Sequence, residues 1–236
     1  MKNKILKMIL LAFFITLGVV ISPLLRVEGM CPMAHFINIV CSVFLGPWYS
    51  LICATMIGII RMLTMGIPPI ALTGAIFGAF LSGVCYRLAK GKLFAAVGGE
   101  IIGTGLIGAI VSYPVMTFLW GKEGLSWLFY IPSFTCGTLI GGAIAFLFLK
   151  KLTANGMLTK LQRSLGTKAY NEQHSAVSNA LAVAALGGVS FVVCSILSDL
   201  LLPEAPFWPF LIYGTPVIAV VLALIYYIVH RKEKTP

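Results

Sequence analysis

Glu100 is the only charged side chain between Lys92 and Lys122, set in the run Gly98-Gly99-Glu100-Ile101-Ile102-Gly103-Thr104-Gly105. A charge at the centre of a membrane helix costs about 2.5 to 3.5 kcal/mol, so a carboxylate kept there has a partner or a task. Glu100 and Thr104, four residues apart, share one helical face, and His35 and Asn38, three apart, share another. Arg61 lies near the outer end of its own apolar run, Tyr113-Pro114 lie farther along the Glu100 segment, and Trp127 and Tyr130 open the next. Such a set can hold a small ligand by a few hydrogen bonds, or move a proton through Glu100. Every member also has a structural reading. Glu100 can pair with Arg61, His35 or backbone donors. His35 can bond a loop carbonyl, Asn38 can fasten two helices, and Arg61 can reach the interface on its long stem. Trp127 and Tyr130 fit an interfacial aromatic belt.

The elements that position these groups are apolar spans. The 236 residues are 59% hydrophobic and 10% charged, with a mean hydropathy of +1.00, which marks an all-α integral membrane protein. Eight segments approach the ~20 residues needed to cross ~30 Å of hydrocarbon: about 5–25, 33–46, 48–65, 69–88, 93–118, 127–149, 177–201 and 207–229. The second is short, so it is tilted, broken or continued into the third through a turn at Gly46-Pro47. With both termini cytoplasmic, 14 of the 17 Lys and Arg residues fall on the inner side, leaving Arg26, Arg61 and Lys122 outside. The net charge of +10 is then topological and does not point to nucleic acid. The basic, apolar N-terminus lacks a small-residue cleavage site before Arg26 and reads as an uncleaved first helix.

Three regions follow: a six-helix membrane core at 1–150, a basic cytoplasmic linker or surface helix at 151–175, and a transmembrane hairpin at 176–236 whose outer turn holds Pro203, Pro206 and Pro209. Small residues four apart, Gly74 and Gly78, Gly99 and Gly103, Gly105 and Ala109, let helices approach closely. On the first helix Ala12 and Thr16, then Gly18 and Ser22, form similar ridges, and a ridge of this kind can receive a partner subunit. The six cysteines show no metal-ligand spacing and read as small apolar residues without a disulfide framework. No phosphate loop, HExxH or Cys-x-x-Cys occurs, and no nucleophile–base pair stands at readable spacing, so neither ATP hydrolysis nor another enzymatic activity is expected, and no cofactor.

The segments His35-Phe-Ile-Asn38, Gly46-Pro47-Trp48-Tyr49, Gly58-Ile-Ile-Arg61, Gly74-Ala-Ile-Phe-Gly78, Tyr86-Arg87 and Gly99-Glu100-Ile-Ile-Gly103-Thr104-Gly105 with Tyr113-Pro114 resemble the ThiW family over about residues 5 to 150. These are substrate-binding S components of energy-coupling factor importers. The resemblance implies a six-helix protein of the bacterial-type plasma membrane that binds a thiamine precursor, hydroxyethylthiazole being the expected ligand, in a pocket toward the outer side. It implies His35, Asn38, Arg61, Glu100, Thr104 and Tyr113 as ligand-binding positions, and as partners a membrane coupling subunit and two ATPases, with Ala12 and Thr16 as the coupling-subunit contact. A self-sufficient proton-coupled transporter using Glu100 is the alternative. Two departures stand out: Thr73 occupies a place where the family has proline, and the chain runs on past six helices.

Overall fold

A computed structural model describes residues 2–24, 31–170, 176–200 and 206–231. Arg26, Lys232, Lys234 and Pro203, used above, lie outside the described residues. The described chain is helical without strands: α1 Lys2–Ile21, α2 Pro32–Leu45, α3 Pro47–Met65, α4 Ile70–Leu88, α5 Leu93–Leu119, α6 Ile131–Ala154, α7 Met157–Leu165, α8 Ala176–Leu200 and α9 Trp208–His230. In hydrocarbon each backbone N–H and C=O must bond within its own segment, which is why apolar runs of this length become helices. Seven are long and apolar enough to cross a membrane, and α2 is the shorter apolar helix among them. Proline at the first or second position starts α2, α3, α6 and α9, where its missing N–H costs nothing.

The chain forms two compact units, Met1–Asn171 and Glu172–Pro236. At the centre of the first is α2. It has 14 residues, ~21 Å at helical rise, and it is buried from Ile37 to Leu45 without a break. It packs against α1, α3, α4, α5, α6 and α7. Its shortness follows from that position: a helix enclosed by protein need not match the bilayer. Gly46, at φ +94°, makes the turn into α3 in a conformation other residues rarely adopt.

Helix α5 runs 27 residues without a break, but its hydrogen bonding is π-helical over Ile101–Gly108 and Val115–Leu119, the second stretch following Pro114 inside the helix. It meets α4 along a seam of small residues. A Cβ on Gly103 would lie 2.5 Å from the Cα of Gly78 and 2.6 Å from the carbonyl oxygen of Phe77, so the two backbones touch there. Farther along the same pair of helices, Thr73 Oγ1 and Ser112 Oγ share a 2.6 Å hydrogen bond. Thr73, which stands where the resemblance led a proline to be expected, thus ties α4 to α5.

The two ridges on α1 face about 120° apart, as a six-residue offset at 3.6 residues per turn dictates. Gly18 and Ser22 are buried against the bundle, with Gly18 backed by Ile57 of α3, while Ala12 and Thr16 are exposed. The basic stretch expected as a linker belongs largely to the first unit. Its first residues, Lys151 to Ala154, finish α6, and α7 follows between Gly156 and Gly166, both left-handed. Leu158, Gln162 and Leu165 of α7 are buried, while Lys160 and Arg163 are exposed. Gln162 Nε2 donates to the carbonyl of Val43 (2.9 Å) and to Tyr86 Oη (3.2 Å), and Tyr170 packs edge-on against Tyr86 at 5.5 Å. The first unit therefore ends at Asn171, beyond the boundary expected at 150. The second unit pairs α8 with α9 through Asn179 Nδ2 to Tyr226 Oη (3.1 Å) and Ser190 Oγ to Thr215 Oγ1 (3.0 Å).

Replacing Gly103 with alanine should lower the thermal stability of the detergent-solubilised protein by about 1 to 3 kcal/mol, because the added methyl meets the α4 backbone at Phe77 and Gly78; an unchanged melting curve would refute the tight seam. Ending the chain after Asn171 should preserve a folded first unit by gel filtration and circular dichroism. Ending it at Lys150 should not, since that removes Gln162.

Candidate functional site

Helices α2, α4 and α5 meet around the Glu100 carboxyl group. Its Oε1 lies 2.9 Å from His35 Nδ1 and accepts hydrogen bonds from Asn38 Nδ2 (3.0 Å) and Thr104 Oγ1 (3.2 Å). Glu100 and Thr104 are wholly buried, Asn38 and His35 nearly so. Three polar contacts converge on one oxygen, while Glu100 Oε2 is buried without a hydrogen-bond partner among the described residues. Asn38 also reaches the carbonyl of Ala75 on α4 (3.4 Å), and its own carbonyl accepts from Ser50 Oγ of α3 (2.9 Å), so the cluster is braced by four helices. Gly78 makes the space: a Cβ there would lie 2.8 Å from Glu100 Oε1 and clash with the Thr104 hydroxyl. Glu100 sits where α5 passes into its π-helical stretch, a distortion frequent at functional sites.

Beside this cluster is a partly open cavity of about 80 Å³. The start of α2 contributes Cys31, Ala34 and His35 to its wall, and α3 contributes Arg61. Ile67 lines it from the connection between α3 and α4, Ile70 and Gly74 from the start of α4, Thr104 from α5, and Phe134 from α6. Behind Phe134 stands an apolar cluster of Ala109, Met116 and Tyr130. The cavity is apolar over much of its wall with a few polar groups, the usual make-up of a small-molecule site.

The expected site residues divide. His35, Arg61 and Thr104 line the cavity; Glu100, itself bonded by Asn38, holds His35 and Thr104 from behind. Tyr113 does not line the cavity. It stands nine residues beyond Thr104, a spacing that does not return to the same face, and its ring packs against Trp127 at 4.5 Å. Arg61 does not reach out to the interface: it is 4% exposed, and its Nε is buried without a partner among the described residues. Glu100 pairs with His35 and not with Arg61. Trp127 is exposed as a belt residue would be, whereas Tyr130 is buried under Phe134. Phe134, Cys31 and Ile67 were not singled out in the sequence. Phe134 was accessible to it, lying four residues after Tyr130 and so on its face.

The model of the family described as thiamine-precursor transporter protein (ThiW) matches residues 8–155, well over half of the chain. The chain belongs to the ThiW family. The match spans the whole Glu100 cluster, the cavity and α1 to α6, and ends before α7. As a ThiW member with seven long apolar helices, it is a multi-pass membrane protein of thiamine-precursor transport. No curated relative and no solved structure matches the chain.

Glu100→Ala strands the polar groups of His35, Asn38 and Thr104 in a dry interior and should cost about 3 kcal/mol or more of stability. Glu100→Gln keeps an oxygen for Asn38 and Thr104 and should cost less than half as much. Unfolding of both variants without ligand checks this; equal losses would show that the hydrogen bonds to Oε1 do not hold the helices.

Proposed function

We propose that this chain is the non-enzymatic substrate-binding subunit of an energy-coupling factor importer, with hydroxyethylthiazole as its ligand. The observation that carries this reading is the cavity: one aromatic wall at Phe134, aliphatic side chains at Ile67 and Ile70, and three polar groups, His35, Arg61 and Thr104. A methylthiazole with a hydroxyethyl arm has a flat apolar ring, one ring nitrogen and one hydroxyl, which such a wall matches in kind. The cavity lies where α2, α4 and α6 begin and α3 ends, the outer end of the bundle if the basic loops are cytoplasmic. Glu100 acts here as a support, since its Oε1 is committed to the protein's own groups. Import then needs a membrane coupling subunit and two ATPases, and the exposed Ala12–Thr16 face of α1 is a candidate for the coupling-subunit contact.

Glu100 Oε2, buried without a hydrogen-bond partner among the described residues, supports a second reading, a self-sufficient transporter in which that oxygen takes up and releases a proton. Uptake of labelled hydroxyethylthiazole distinguishes the two. The importer reading expects no accumulation in cells that lack the ATPases and normal accumulation when they are restored. Accumulation without them, abolished by collapsing the proton gradient, would establish the second. On the purified protein, the thiazole should bind saturably and more tightly than thiamine.

A further inference from the structure

Among the described residues, the Arg61 guanidinium is a polar element of the cavity wall that the protein leaves unanswered. It lines the cavity, is 4% exposed, and carries a buried Nε with no hydrogen-bond partner among the described residues. No acid among those residues lies at ion-pair distance from it, because Glu100 is turned to His35, Asn38 and Thr104. Arginine keeps its charge under any physiological condition, so it cannot escape burial by losing a proton. Taking such a charge out of water costs several kcal/mol unless an anion faces it, and removing the anion is what makes buried ion pairs so sensitive. The guanidinium presents its N–H groups in a planar fork that matches a carboxylate or a phosphate with two parallel hydrogen bonds.

A neutral alcohol does not meet that demand. The hydroxyl of hydroxyethylthiazole offers one acceptor oxygen, without charge, to a buried cation that has no ion-pair partner among the described residues. We infer that the cavity takes a thiazole carrying an anionic group, with Arg61 as the anion's contact and the Phe134 side as the seat of the ring. The inference rests on the thiazole reading above and refines its substrate class. The other polar lining fits: Thr104 and His35 add hydrogen-bonding groups near the ring, and neither is an acid that would repel an anion.

The test is binding of three probes to the detergent-purified full chain by isothermal titration: hydroxyethylthiazole, its phosphate monoester, and the methylthiazole acetic acid in which the arm ends in a carboxylate. One or both anions should bind the unmodified protein about 10- to 100-fold more tightly than the alcohol, the range expected for hydrogen bonds to a charged partner. In Arg61→Met the ratio of anion affinity to alcohol affinity should fall to about one, whatever happens to binding as a whole, and Arg61→Lys should retain part of the preference, since a point charge replaces the fork. Alcohol binding equal to or tighter than both anions in the unmodified protein overturns the inference and leaves the thiazole reading intact. A preference for the anion that survives in Arg61→Met overturns the assignment to Arg61. Failure of all three probes to bind overturns the thiazole reading and this inference with it. The comparison on the unmodified protein stands even if Arg61→Met does not fold.

Discussion

A carboxyl oxygen with three polar contacts organises the first unit. Glu100 Oε1 draws His35 and Asn38 from α2 and Thr104 from its own helix to a single point that neither water nor lipid can reach. In a bilayer the apolar effect does not press helices together, so packing and polar contacts of this kind must set which helices meet and in what register. Because the cluster occupies volume, it also sets a requirement on the facing helix. Gly78 is the residue of α4 that leaves room for it, and Gly103 lets the α5 backbone follow. The glycine seam and the buried acid are therefore parts of one arrangement, and a change to either is felt by the other.

The cavity is a by-product of the same geometry. With His35 and Thr104 held from behind by Glu100, their outward atoms are presented at fixed positions on the cavity wall. Arg61 arrives from α3, a helix tied to the cluster through Ser50 and the Asn38 carbonyl. Positioning is thus divided between a closed polar interior that gives rigidity and an open polar rim that is available to a ligand. The Phe134 wall adds the apolar surface, supported from beneath by Tyr130 and Met116.

Local spacing made part of this legible in the sequence. The i to i+3 pair His35/Asn38 and the i to i+4 pair Glu100/Thr104 were visible, as were the eight apolar runs and the Gly46-Pro47 turn. The meeting of the two pairs, more than sixty residues apart in the chain, was one of several pairings left open for Glu100, because periodicity says which face a residue occupies and nothing about which helix that face greets. Arg61 kept two readings for a similar reason: a long side chain near a helix end satisfies a snorkelling argument as well as a burial one. Gln162 sat in a stretch that composition alone marks as a basic loop, and only the Leu158, Gln162, Leu165 spacing hinted that one side of it is packed. Tyr113 was grouped with Glu100 by motif, against its helical phase.

The enclosure of α2 has one more consequence. The seven long apolar helices among the described residues each leave more than half of their length unburied, a surface that suits hydrocarbon and there tolerates oily residues. For α2 the solvent is protein: it is solvated by six other helices and by the hydroxyls, amides and carboxyl group they carry. It can therefore hold a histidine, an asparagine and a serine on successive turns without penalty. Oiliness stops being the measure of fitness there, and a leucine that α9 would accept at almost any position would be as foreign at 38 or 42 as a charge is to lipid.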